Sequence, residues 1–168
     1  MTHRKHGNGR QARILVVDDE LTVALTLVEI LEEQGYEVAV AFSGEQAVAE
    51  AVELLPDLLI SDVCMGEVNG VEVATSITAM LPDCKVLFLS GLASMSDVMS
   101  AAPERLVYSF MSKPMRLLDL LNAIAYMLPA VSPAHDPSAI PVARDTHMHT
   151  AIGMRPAETE LILSEVGA

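Results

Sequence analysis

No apolar run in this sequence approaches the roughly 20 residues that a helix needs to cross a bilayer. Yet 51% of its 168 residues are hydrophobic and its mean hydropathy is +0.38. Membrane insertion is therefore not expected, and the apolar residues must find a protein core. Cysteine is scarce. Cys64 and Cys84 stand alone, without the paired spacing of a zinc site, and the N-terminal segment lacks the apolar stretch of an export signal. Both are expected as free thiols in a reducing cytoplasm. Basic residues are also few, 10 Lys and Arg against 23 Asp and Glu. Four of the ten (Arg4, Lys5, Arg10 and Arg13) fall in residues 1–13, which contain no acid, leaving −14 on residues 14–128 and −3 on 129–168. So acidic a body repels nucleic-acid phosphates, and direct nucleic-acid binding is not expected.

What the chain does have is a series of short aliphatic blocks alternating with amphipathic segments, the pattern of a buried parallel sheet covered by helices. Ile14-Leu-Val-Val17 is a strand that stops at Asp18-Asp19-Glu20. From Leu21 the spacing of Ala24, Leu27, Val28 and Leu31 is helical, and Gly35 supplies a stop. Residues 36–41 alternate like a strand near the sheet edge, and Ser43 with Gln46 forms a capping-box signature for a helix to about Leu55. Leu58-Leu-Ile60 then leads to Asp62. After a loop over 63–70 come a helix over 71–81, a strand over 85–89, a helix over about 94–102, a strand over 106–111 and a last helix from about Met115 to Leu128. Five β–α units predict one doubly wound α/β domain over 12–128. Residues 1–11 read as a flexible basic leader. Residues 129–168, interrupted by five prolines, read as a flexible tail in which only 157–166 has the spacing of a short amphipathic helix.

Function concentrates where the strands end. In open parallel sheets, ligands bind outside the carboxyl ends of the strands. Those ends carry Asp18 and Asp19, then Asp62, Ser90 and Lys113. Clustered carboxylates repel unless a cation is present, and oxygen-only ligands suit Mg²⁺. Lys113 adds a point positive charge and Ser90 a hydroxyl. A divalent metal, an ammonium and a hydroxyl around one carboxylate make a site for phosphoryl transfer. An isolated acidic pair is more often a helix N-terminus, an isolated lysine a surface group and an isolated phenylalanine a core residue; the combination favours the functional reading. His147-Met148-His149 reads as solvated and not as a metal site. The ten methionines read as core and helix-face fillers.

Residues 12–128 resemble the response-regulator receiver domain of bacterial two-component systems. The resemblance rests on Asp18-Asp19, on Asp62-Val-Cys-Met65 with Gly70 eight residues after Asp62, on Ser90-Gly91, and on Phe110-Met-Ser-Lys113-Pro114. It implies a flavodoxin-like (βα)5 sandwich with a five-stranded parallel sheet of order 2-1-3-4-5. It also implies that Asp62 is the phosphoacceptor for a phosphohistidine on a sensor histidine kinase or histidine phosphotransfer protein. Asp18, Asp19, Asp62 and the backbone carbonyl of Cys64 would serve Mg²⁺, Asp18 through its water shell. Lys113 would pair with a phosphoryl oxygen, while Ser90 and Phe110 would be the switch pair. The face made by the fourth helix, fifth strand and fifth helix would meet a downstream protein and is a common homodimer surface in the family.

Three departures stand out: Gly66 in place of the usual proline, Ser90 in place of the more frequent threonine, and Cys64 at a position that affects acyl-phosphate lifetime. The segment after the last helix leaves no room for a DNA-binding output domain, so output is expected through protein contacts or onward transfer. Two other functions compete. A phosphorylation-independent scaffold is disfavoured by the full set of site residues. An aspartyl-nucleophile phosphatase of the haloacid dehalogenase type looks for Asp-x-Asp after the first strand, whereas Asp18 and Asp19 are adjacent.

Overall fold

The computed structural model describes residues 10–66, 68–91, 95–103, 106–128 and 149–151. Most of the expected leader, the 157–166 segment and His147-Met148 lie outside the described residues. The elements are β1 (Arg13–Val17), α1 (Leu21–Glu33), β2 (Glu37–Ala41), α2 (Gly44–Leu54), β3 (Leu58–Asp62), β4 (Cys64–Met65), β5 (Val68–Asn69), α3 (Gly70–Met80), β6 (Lys85–Ser90), α4 (Met95–Ala101), β7 (Tyr108–Ser112), α5 (Leu117–Met127) and β8 (His149–Ala151). The main sheet runs β2-β1-β3-β6-β7-β8. Its first five strands are parallel and follow the predicted order, giving the flavodoxin-like doubly wound fold. The sheet has one strand more than expected, since β8 joins the outer edge of β7 in antiparallel sense.

Strand alternation divides the core into two layers. Leu15, Val17, Leu59, Val86, Phe88, Tyr108 and Phe110 face the side covered by α2, α3 and α4. Ile14, Val16, Leu58, Ile60, Leu87, Leu89 and Met111 face α1 and α5. Central strands buried on both faces explain why their sequences are continuous aliphatic runs instead of alternating ones. β2, at the edge, keeps Glu37 exposed.

Local signals place the helix ends. Ser43 accepts a hydrogen bond from the Gln46 amide at 3.2 Å, and the Gln46 side chain accepts from the Phe42 amide at 3.0 Å, one residue earlier than in the usual capping box. Gly35 has φ +88°, the left-handed geometry of a helix stop. Asn69 caps α3 by accepting from the Val71 amide at 2.9 Å. The loop expected over 63–70 holds a small hairpin in which Cys64 pairs with Asn69 and Met65 with Val68. Gly66 lies in its turn at φ +54°, a conformation that proline cannot adopt. The strand expected from 106 begins at Tyr108, because the Leu106 amide is still engaged in a turn with the Pro103 carbonyl at 2.9 Å.

Candidate functional site

Parallel strand register brings the ends of β1, β3, β6 and β7 to one side of the sheet. Val17 lies beside Ser61, Asp62 beside Leu89, and Ser90 beside Ser112. The residues that leave these ends are the ones singled out by the sequence. Asp18 is 2% exposed, directly after β1. Asp62 closes β3 and is half-buried. Ser90 closes β6 and is buried. Lys113 follows β7, its amide donating to the Ser90 carbonyl at 2.9 Å, and its peptide bond to Pro114 is cis.

The organising contact is the Lys113 ammonium, which stands between two carboxylates. Its Nζ donates to Asp18 Oδ2 and to Asp62 Oδ2, each at 2.7 Å. Burial of the ammonium acts to lower the Lys113 pKa, but these two hydrogen bonds and the charges behind them outweigh it and raise the pKa. The remaining oxygen of each carboxylate is held by a backbone donor. The Glu20 amide donates to Asp18 Oδ1 at 2.9 Å, and the Cys64 amide donates to Asp62 Oδ1 at 3.0 Å. Asp62 is thus fixed at both oxygens, with one aimed at a cation.

Asp19, next in sequence to Asp18, is exposed, and a β-carbon on Gly66 would sit 3.8 Å from its Oδ2. Among the described residues no group of three His, Cys, Asp or Glu side chains is gathered to hold a metal ion. Asp18 and Asp62 meet through Lys113 instead. The donor chemistry nevertheless fits a hard dication, for the acids are oxygen donors and Asp18 is a buried carboxylate.

Gly70 is a structural part of the site that the sequence reading did not explain. A β-carbon there would collide with the backbone carbonyl of Asp62 and would lie 2.8 Å from Ser61 Oγ. Glycine lets α3 start directly against the strand end that carries Asp62. Phe110 is buried in the layer covered by α2, α3 and α4, beside Tyr108, which packs edge-to-face on Phe88 with centroids 5.4 Å apart.

The description "Response regulator receiver domain" belongs to the family model that matches residues 14–125. The chain belongs to the response regulator receiver family. The receiver is 36% identical over 117 residues to the response regulator receiver protein CpdR of Brucella abortus, covering 69% of this chain and 96% of CpdR. It is 32% identical over 118 residues to the chemotaxis protein CheY of Thermotoga maritima, covering 67% and 97%. Among solved structures it is similar to the response regulator TrrA of Thermotoga maritima in complex with Mg²⁺-BeF, with a TM-score of 0.60 and 32% identity over 70% of this chain and all of TrrA. Receivers of this family are phosphoacceptor signalling domains of two-component systems. No helix among the described residues is long and apolar enough to cross a membrane.

Proposed function

We propose that this receiver accepts a phosphoryl group on Asp62 from a phosphohistidine of a sensor histidine kinase or histidine phosphotransfer protein, and signals through protein contacts. The observation that carries the reading is Lys113 bonded to Asp62 and Asp18 at 2.7 Å at the carboxyl ends of β3, β1 and β7. An Asp62 carboxylate oxygen attacks phosphorus, a P–O bond forms, and the P–N bond to the donor imidazole breaks, leaving an acyl phosphate on Asp62. Lys113, already within reach of Asp62, neutralises the charge that arrives with the phosphoryl group. Asp18, Asp19, Asp62 and the Cys64 carbonyl are the residues that would hold Mg²⁺, which supplies charge neutralisation for phosphoryl transfer. The Mg²⁺-BeF complex of TrrA supports that assignment by similarity.

Ser90 and Phe110 are the proposed switch residues. They sit on neighbouring strands, and Phe110 lies on the strand that leads to Lys113. The output face is formed by α4, β7 and α5. Leu117, Leu118 and Tyr126 are exposed on α5 and suit a protein partner, including a second copy of the receiver. The protein would work in the cytoplasm, with residues 12–128 as its receiver domain.

The test is titration with beryllofluoride and MgCl₂, followed by two-dimensional amide NMR of wild type and Asp62→Asn. Saturable shifts at Asp62, Ser90 and Lys113 in wild type alone are expected. Identical spectra with and without beryllofluoride would leave the scaffold reading in front.

A further inference from the structure

The outer edge of β7 is where the described chain departs from a five-stranded receiver. Tyr108 lies opposite Ala151, Ser109 opposite Thr150 and Phe110 opposite His149, in antiparallel register. An uncovered edge strand presents a row of backbone donors and acceptors, the template on which an extended peptide adds as a further strand. The direction of β7's peptide groups follows from its other neighbour. Because the Lys113 amide donates to β6 at Ser90, strand alternation turns the amides of Met111 and Ser109 toward β6 and those of Phe110 and Tyr108 outward. Phe110–His149 and Tyr108–Ala151 are therefore the hydrogen-bonded pairs, and Ser109–Thr150 is the non-bonded pair between them.

We infer that the outer edge of β7 is a strand-docking surface, and that residues 149–151 are its resident occupant, competing in cis with any partner that approaches the α4, β7 and α5 face. Two observations set its strength. Among the described residues three pair, giving two bonded pairs, few enough for the occupant to be displaced. It lies in the same chain, beyond the end of α5 at Met127, so it competes as a tethered ligand and not as a free one. The position also matters. β8 lies against the strand that carries Phe110 and leads to Lys113, which holds Asp62. The consequence for output rests on the function proposed above; the docking itself does not.

Proline substitutions in the full chain test the register. Ala151→Pro removes an amide that faces β7, whereas Thr150→Pro removes one that faces away. Hydrogen exchange is read by NMR at the outward amides of Tyr108 and Phe110. The inward amides of Ser109 and Met111, bonded to β6, report that the sheet is intact. At least tenfold faster exchange at Tyr108 and Phe110 is expected in Ala151→Pro, with less than a twofold change in Thr150→Pro. Exchange unchanged in Ala151→Pro, or raised equally by Thr150→Pro, overturns the inference. Phosphoryl uptake by wild type is scored separately, so loss of docking and loss of the phosphoacceptor reading remain distinct results.

Discussion

Lys113→Met keeps an apolar stem and removes the cation that joins Asp18 to Asp62. Both Oδ2 atoms lie 2.7 Å from Nζ, so they are separated by at most twice that distance. At an effective dielectric constant of about 20, like charges about 5.4 Å apart repel by about 3 kcal/mol. Breaking a fully buried ion pair costs about 3–5 kcal/mol, because the remaining charge is left uncompensated. Here the Asp18 side chain is 3% exposed, but those of Asp62 and Lys113 keep 14% and 22%, so water shares in the screening. The expected loss in EDTA is thus about 2–3 kcal/mol. The assay is urea unfolding of wild type and variant, in EDTA and in millimolar MgCl₂. A dication that binds the native carboxylates stabilises by mass action. Mg²⁺ is accordingly expected to stabilise the variant more than wild type and to close much of the gap. A variant as stable as wild type in EDTA, or a deficit that Mg²⁺ leaves unchanged, would refute the claim that Lys113 stands in for positive charge at this site.

Further outcomes follow from the same packing. Gly70→Ala forces a methyl against the Asp62 carbonyl, and overpacking of this kind costs about 1–3 kcal/mol in denaturant unfolding; phosphoryl uptake by Asp62 is expected to fall with it, and unchanged stability would show that α3 can shift freely. Native thiol titration at pH 8 is expected to find Cys64 fast, since it is exposed, and Cys84 blocked, since burial pushes its thiol up to about 12. Two fast thiols in the native protein would contradict the buried position of Cys84. Asp57 supplies the pH prediction. Burial acts to raise its pKa, but hydrogen bonds from the Arg10 side chain and the Arg13 amide, with both guanidinium charges, hold it below the ordinary 3.8. Its contribution is therefore present above pH 3.8 and lost as pH falls through the lowered folded value. Asp57→Asn is expected to be less stable than wild type at pH 7, with the gap closing in acid; a gap constant with pH would contradict it.

Most of the architecture was legible because central parallel strands must be apolar on both faces, so blocks such as Ile14–Val17 and Leu58–Ile60 declare themselves. The strand-end position of Asp18, Asp62, Ser90 and Lys113 follows from that alternation alone. Other features were not legible for physical reasons. The β4–β5 hairpin uses two residues per strand, too few for a period-2 signal; Gly66 between Met65 and Val68 was its only cue. β8 is three residues long, and its pairing depends on a partner far away in sequence. The role of Gly70 depends on where the Asp62 carbonyl lies. Lys113 was expected to face a phosphoryl oxygen, and the structure shows which carboxylates it holds. At the opposite end of the sheet, Arg10 binds Asp57 and the Gln11 side chain donates to the Gly35 carbonyl at 2.7 Å, contacts without a pattern in the basic leader.

The central claim is that Asp62 accepts a phosphoryl group. Its most direct measurement is intact mass after incubation with acetyl phosphate and MgCl₂, with Asp62→Asn treated alongside. A phosphate-sized mass increase that needs both Mg²⁺ and Asp62 is the predicted result. No adduct on wild type, or an equal adduct on Asp62→Asn, would contradict it.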